Sequence, residues 1–152
     1  MRAGMTILTL VLATPAPAGI EHTILHGVSV GRVKAWVGPG TLPGLNRETM
    51  QATAESRLRA AGIPLDPASA SMLWIGATVM LGESDTCFVR VEAMLSEEAI
   101  LDRNGFRVTA ESWRGPGMLT TTSVGDCARE VASAEERALA DFVEHYRAMN
   151  PR

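Results

Sequence analysis

Apolar and polar positions change their spacing several times along the chain, and each change marks an element. From Val28 to Val37 apolar residues alternate with polar ones, as in a half-buried strand. Val28 and Val30 keep one phase, while Val33, Ala35 and Val37 keep the other. A slip of that kind beside Gly31 is what a β-bulge produces. The loop GPGTLPG at 38–44 breaks the strand. Met50, Ala54, Leu58 and Ala61 then repeat at helical spacing. Asn46 is a good N-cap, Leu45 and Met50 form a hydrophobic staple, and Gly62 with Pro64 stops the helix. Ser71 to Leu81 is apolar in both phases, which fits a central strand.

A turn at 82–85 leads to a strand over 86–95, which 96–101 could extend. Its alternation puts Cys87, Val89, Val91, Ala93 and Leu95 on one face and Phe88, Arg90, Glu92 and Met94 on the other. Asn104-Gly105 is a hairpin signal. Phe106, Val108 and Ala110 then alternate with Arg107, Thr109 and Glu111, through to Trp113. Gly115-Pro116-Gly117 ends that strand, and 118–124 adds a short edge strand at most. Val131, Ala138, Leu139, Phe142, Val143, Tyr146 and Met149 make the apolar stripe of a final helix within 126–149. It starts either at Asp126 or at Ser133, where Ser133 and Glu136 spell a capping box.

The order β-α-β-β-β-α predicts a two-layer α+β sandwich. Its sheet is four-stranded and mostly antiparallel, with a fifth short strand as an option. Each helix has a single stripe, so both cover one face of the sheet. The domain is expected over 28–151, after a lead-in at 19–27.

Composition changes this picture at the amino terminus. Arg2, the apolar run Met5 to Ala13 and the A-x-A site Ala16-Pro17-Ala18 have the layout of a secretory signal cleaved at Ala18/Gly19. The alternative is a buried strand. The apolar run is far shorter than the roughly 20 residues a membrane span needs. No Cys follows the cleavage site, so a lipid anchor is not implied. The expected product is soluble, and periplasmic or secreted. The chain of 152 residues is 46% hydrophobic and carries a formal charge of −3. No basic stripe points to nucleic acid.

Export changes how the cysteines read. Cys87 and Cys127 are the only two. In an oxidising compartment they predict a disulfide, which the chain-entropy relation values at about 4 kcal/mol for a loop this long. Strand alternation sends Cys87 toward the helices, and Cys127 lies at the start of the last one. Two buried thiols are the alternative.

No reaction is legible. G-x-S-x-G, H-E-x-x-H and phosphate-loop patterns are absent, and no catalytic residue, metal or cofactor is assigned. His22 and His26 read as part of a mobile lead-in and His145 as a helix-surface residue. Arg47, Glu83, Asp85, Glu97, Glu98 and Asp102 read as solvated charges. The feature that stands out is the helix-free sheet face. In the expected register it carries Trp36, Trp74 and Trp113, with Phe88, Met72 and Arg90 among their neighbours. Trp, Met and Arg are enriched at interfaces, so these six define a candidate surface for a protein partner or for self-association. A segment folded over that face, or a one-residue register slip, would remove some of them from it.

AESRLRAAGIPL (54–65), LWIGATV (73–79), FVRVEAML (88–95), ESW (111–113) and DFVEHYRAMNP (141–151) together resemble a group of small exported bacterial proteins of uncharacterised function. The element order is also similar to small α+β domains of envelope assembly proteins, such as the amino-terminal domain of TolB. The resemblance supplies no catalytic residues, and the missing chemical motifs together with the Trp-bearing face favour a non-catalytic envelope module that binds a protein partner or itself. Two other readings stay open. One is a small-ligand binder or enzyme with a pocket near 38–47 and 114–127. The other is a secreted enzyme inhibitor using loop 114–118.

Overall fold

The computed structural model describes residues 25–38, 42 and 45–151. The signal segment, its boundary at Ala18/Gly19 and His22 lie outside the described residues. Among the described residues five strands and two long helices follow in order: β1 (Arg32–Val37), α1 (Arg47–Ala60), β2 (Met72–Leu81), β3 (Thr86–Ile100), β4 (Arg107–Arg114), β5 (Met118–Ser123) and α2 (Cys127–Met149). The sheet runs β1-β2-β3-β4, with β5 also paired to β3. β1 and β2 are parallel, and the remaining pairs are antiparallel. This is the expected α+β sandwich, with the fifth strand present.

The first strand is shorter than its pattern. Val30 makes a separate parallel bridge to Leu65, and β1 starts only at Arg32. The break falls at Gly31, where a Cβ would lie 2.1 Å from the Ser69 carbonyl oxygen. Only glycine allows that approach, and its N–H donates to the Ser71 carbonyl at 3.1 Å.

Local signals place α1 as expected. Asn46 Oδ1 accepts from the Thr49 N–H at 2.6 Å. At the other end Gly62 takes φ +74°, Gly62 N–H donates to the Arg59 carbonyl and Ile63 N–H to the Leu58 carbonyl. That pair of bonds is a Schellman stop. The start of α2 resolves the two alternatives. A 3₁₀ turn at Val124–Asp126 feeds directly into Cys127, and Ser123 Oγ caps that turn by accepting from the Asp126 N–H. Ser133 lies inside the helix.

The core fills the space between the helices and one face of the sheet. Leu73 and Ile75 of β2, Val89, Val91 and Leu95 of β3, Leu58 of α1, and Val131, Leu139 and Phe142 of α2 are all buried there. Each such side chain contributes about 1.5–3 kcal/mol relative to remaining in water. Cys87 and Cys127 are both fully buried and joined as a disulfide, with their Cα atoms 6.0 Å apart. The staple ties the start of β3 to the first residue of α2.

The end of the lead-in is anchored. Asn150 Nδ2 donates to the Leu25 carbonyl at 2.8 Å, Gly27 N–H donates to Asn150 Oδ1 at 2.8 Å, and Tyr146 Oη donates to the Val28 carbonyl at 3.0 Å. Leu25 is buried. A polar clamp at the end of α2 therefore holds residues 25–28, of which the sequence pattern leaves 25–27 in a loose lead-in and puts Val28 in the first strand.

Candidate functional site: the helix-free sheet face

Alternation along the strands sets this face. β1 contributes Arg32, Lys34 and Trp36, and β2 contributes Met72, Trp74, Gly76 and Met80. β3 contributes Phe88, Arg90, Glu92 and Met94. Trp36, Trp74, Met72, Phe88 and Arg90 thus lie where the sequence puts them. Trp36 is 49% exposed and Phe88 40%.

Trp113 does not lie on this face. β3 and β4 pair Leu95 with Trp113 but Ser96 with Glu111, so Ser112 is an extra residue on β4. That bulge turns Trp113 over to the helix side. There it is 8% exposed and packs edge-to-face on Phe142, with ring centroids 5.0 Å apart. Its interface assignment is corrected to a core role. Gly115 follows because the Trp113 ring occupies the place of its side chain, with Cη2 2.8 Å from where a Cβ would sit.

Two side chains missing from the sequence-based site belong to the face. Leu119 pairs with Arg90 across β5 and β3, and Ile100 pairs with Arg107 near the hairpin tip. Both are well exposed. The signal for Leu119 was its place in a fifth strand, which could be assigned no face until its pairing was known.

Gly76 is the centre of the face. A Cβ there would touch Trp36 Cε3 and Glu92 Cγ, each at 3.7 Å. Without one, a hollow of about 230 Å³ opens between Trp36, Trp74, Met94 and Glu92. Trp74 is fixed at its rim, since Nε1–H donates to Ser96 Oγ at 3.1 Å. The Lys34 ammonium lies 5.2 Å from the Trp74 ring centroid, within range of a cation–π attraction.

An ion array flanks the hollow. Glu92 accepts from Arg90 at 2.9 Å and from Arg114 at 3.2 Å, and Arg114 Nε also donates to Glu111 at 2.9 Å. Arg114 holds the Glu111 carboxyl below the usual carboxylate range, chiefly through that hydrogen bonding. Arg107 pairs with Glu98 farther along the hairpin. Arg32 and Lys34 form no ion pair among the described residues. The face therefore holds five basic side chains (Arg32, Lys34, Arg90, Arg107, Arg114) and three acidic ones (Glu92, Glu98, Glu111). Its balance is +2 in a chain of net −3.

The other sequence candidates stay apart from this face. His26 is exposed, and Arg47 pairs with its neighbour Glu48 at 3.3 Å. His145 Nδ1 lies 2.8 Å from the Asp141 carbonyl oxygen, so that nitrogen carries the proton and donates. No group of three or more metal-ligating side chains occurs among the described residues. No helix among them is long and apolar enough to cross a membrane. Residues 39–41, 43 and 44 of the first candidate pocket loop lie outside the described residues. A groove of about 440 Å³ runs between α1 and α2 over Leu139 and Val143, away from both candidate loops.

One charged residue escaped the sequence reading. Glu135 sits between Val131 and Leu139 at four-residue steps, in phase with the core stripe. It is 3% exposed, and its Oε1 has no hydrogen-bond partner among the described residues. Burial pushes its carboxyl up to about 7.

Fold and site together define a disulfide-stapled two-layer α+β protein whose aromatic and cationic sheet face has no layer over it among the described residues. No protein-family model and no curated protein matches the chain. Among solved structures it is similar to a minor lipoprotein from Acinetobacter baumannii, at 13% identity and a TM-score of 0.31, over 79% of this chain and 94% of that one. At that overlap and identity no function transfers.

Proposed function

We propose that the protein is an exported, non-catalytic binding or assembly module of the bacterial cell envelope, cleaved at Ala18/Gly19, that uses its helix-free sheet face for a protein partner or for self-association. The observation that carries this reading is where the exposed apolar side chains gather. Of the seven large ones among the described residues, Trp36, Met80, Phe88, Ile100 and Leu119 share that face. Scattered exposed apolar residues are ordinary on a monomer, but a collection on one sheet face is not. The buried disulfide supports export, because such bonds persist in oxidising compartments and are rare in the cytosol.

The test is Trp36→Arg combined with Phe88→Arg in the mature chain. Light scattering and cross-linking in an envelope extract are expected to show a dimer or complex that the variant loses, with its circular dichroism unchanged. A wild-type protein that stays monomeric and cross-links to nothing would sink the proposal. Amino-terminal sequencing of the exported protein checks the boundary, with Gly19 expected first.

A further inference from the structure

We infer that the occupant of this face is an acidic segment of a partner protein, which seats one large apolar side chain in the hollow over Gly76. The inference rests on the reading of the helix-free face as an interaction surface and names the partner's chemistry. The hollow supplies the first half. Two indoles and a methionine surround a glycine floor in about 230 Å³, a space that suits one anchoring side chain. Trp74 is held in place by Ser96, so that wall is formed in advance.

Charge supplies the second half. Glu92 on one rim is already satisfied by Arg90 and Arg114. On the β1 side Lys34, which has no ion pair among the described residues, lies against Trp74, and Arg32, likewise without an ion pair among them, is the next outward side chain along β1, opposite Met72. Carboxylates flanking the anchor would meet these two cations. The same balance disfavours a second copy, because two such faces would bring +2 against +2 while the rest of each mature chain carries −6. An anionic lipid surface fits less well than a protein segment. Glu92, Glu98 and Glu111 stand across the face, and the hollow is concave on the scale of a side chain.

The experiment is selection of peptides from a random display library on the mature chain, followed by affinity measurement with synthetic copies of the peptides recovered. The expected peptides carry Asp or Glu around one large apolar residue. Their affinity falls by about tenfold or more, a loss of about 1.4 kcal/mol, on Gly76→Leu, which fills the hollow, and on Lys34→Glu. Gly76→Ala, whose Cβ meets only ordinary contacts, is the folded control and keeps most of the binding. A library that yields no binder overturns the inference. So do peptides without acidic enrichment, or peptides that bind Gly76→Leu as well as the parent. A homodimer broken by Trp36→Arg would overturn the acidic partner yet leave the interaction face standing. Binding to phosphatidylglycerol vesicles and to no peptide would do the same. Indifference of every measured association to Trp36→Arg, Gly76→Leu and Lys34→Glu would remove both readings.

Discussion

The two faces of the sheet carry similar aromatic cargo and put it to opposite ends. On the helix side Trp113 lies against Phe142 in a closed core. On the other side Trp36 and Trp74 border an open hollow. Both faces use glycine as the counterpart of an indole, Gly115 beneath Trp113 and Gly76 beneath Trp36. What separates them is a covering layer. Where α2 lies overhead, the ring is removed from water and becomes part of the folding energy. Where nothing lies overhead among the described residues, the ring keeps its surface available for another molecule.

The sharpest way to break this comparison is to truncate one indole on each face. Trp113→Ala is expected to cost roughly 3–5 kcal/mol, as for other large core aromatics, whereas Trp36→Ala should cost under about 1 kcal/mol. Urea unfolding of the two variants measures both, and equal losses would erase the distinction. Next in size is the staple that secures the covering layer. Replacing Cys87 and Cys127 together by Ala is expected to lower stability by about 2–4 kcal/mol, read as a lower urea midpoint. The reduced wild type should behave alike.

Glu135 tests how closed the helix side is. Its folded carboxyl titrates near 7, above its ordinary 4.5, because burial disfavours the charged form. The unfolded chain therefore releases this proton at lower pH than the folded one. Its contribution to stability is fully present below about pH 4.5 and is lost as pH rises through about 7. By pH 8 the loss is on the order of 2–3 kcal/mol relative to pH 4.5. Thermal melts should show the parent falling across that window and Glu135→Gln falling much less. Equal slopes would mean that water reaches the carboxyl.

The smallest effect lies at the turn between β2 and β3, remote from both indoles. Ser84 and Asp85 hold φ at 56° and 58°, a region that favours glycine. Asp85→Gly is expected to raise stability by about 0.5–1 kcal/mol, a small rise in melting temperature, with no effect on binding at the outer face.

Period and punctuation carried most of the architecture. Alternation in 86–95 alone assigns Cys87 to the helix side, and Asn46 with Gly62 bounds α1 from local signals alone. What stayed hidden was non-local. A single extra residue, Ser112, reverses every side chain beyond it, and no local pattern distinguishes it from its neighbours. The anchoring of Leu25 depends on Asn150, more than a hundred residues away. Five of the six side chains assigned to the outer face lie there, because β1, β2 and the first half of β3 contain no bulge. The hollow over Gly76 was not legible, since it needs Trp36, Gly76 and Glu92 side by side across three strands.

Pro116 has a consequence of a different kind. β4 and β5 lie end to end along β3, so together they form one long outer margin of the sheet. That margin is bent at Ser112 and interrupted at Gly115-Pro116-Gly117, where proline offers no N–H. The opposite margin, β1, is only six residues long and bears Arg32 and Lys34. Neither margin presents a long, straight template on which a further strand could zip. A protein that exposes large apolar side chains on a sheet face with no layer over it among the described residues is thereby guarded against stacking edge to edge into fibrils, and its contacts are confined to the flat of the sheet.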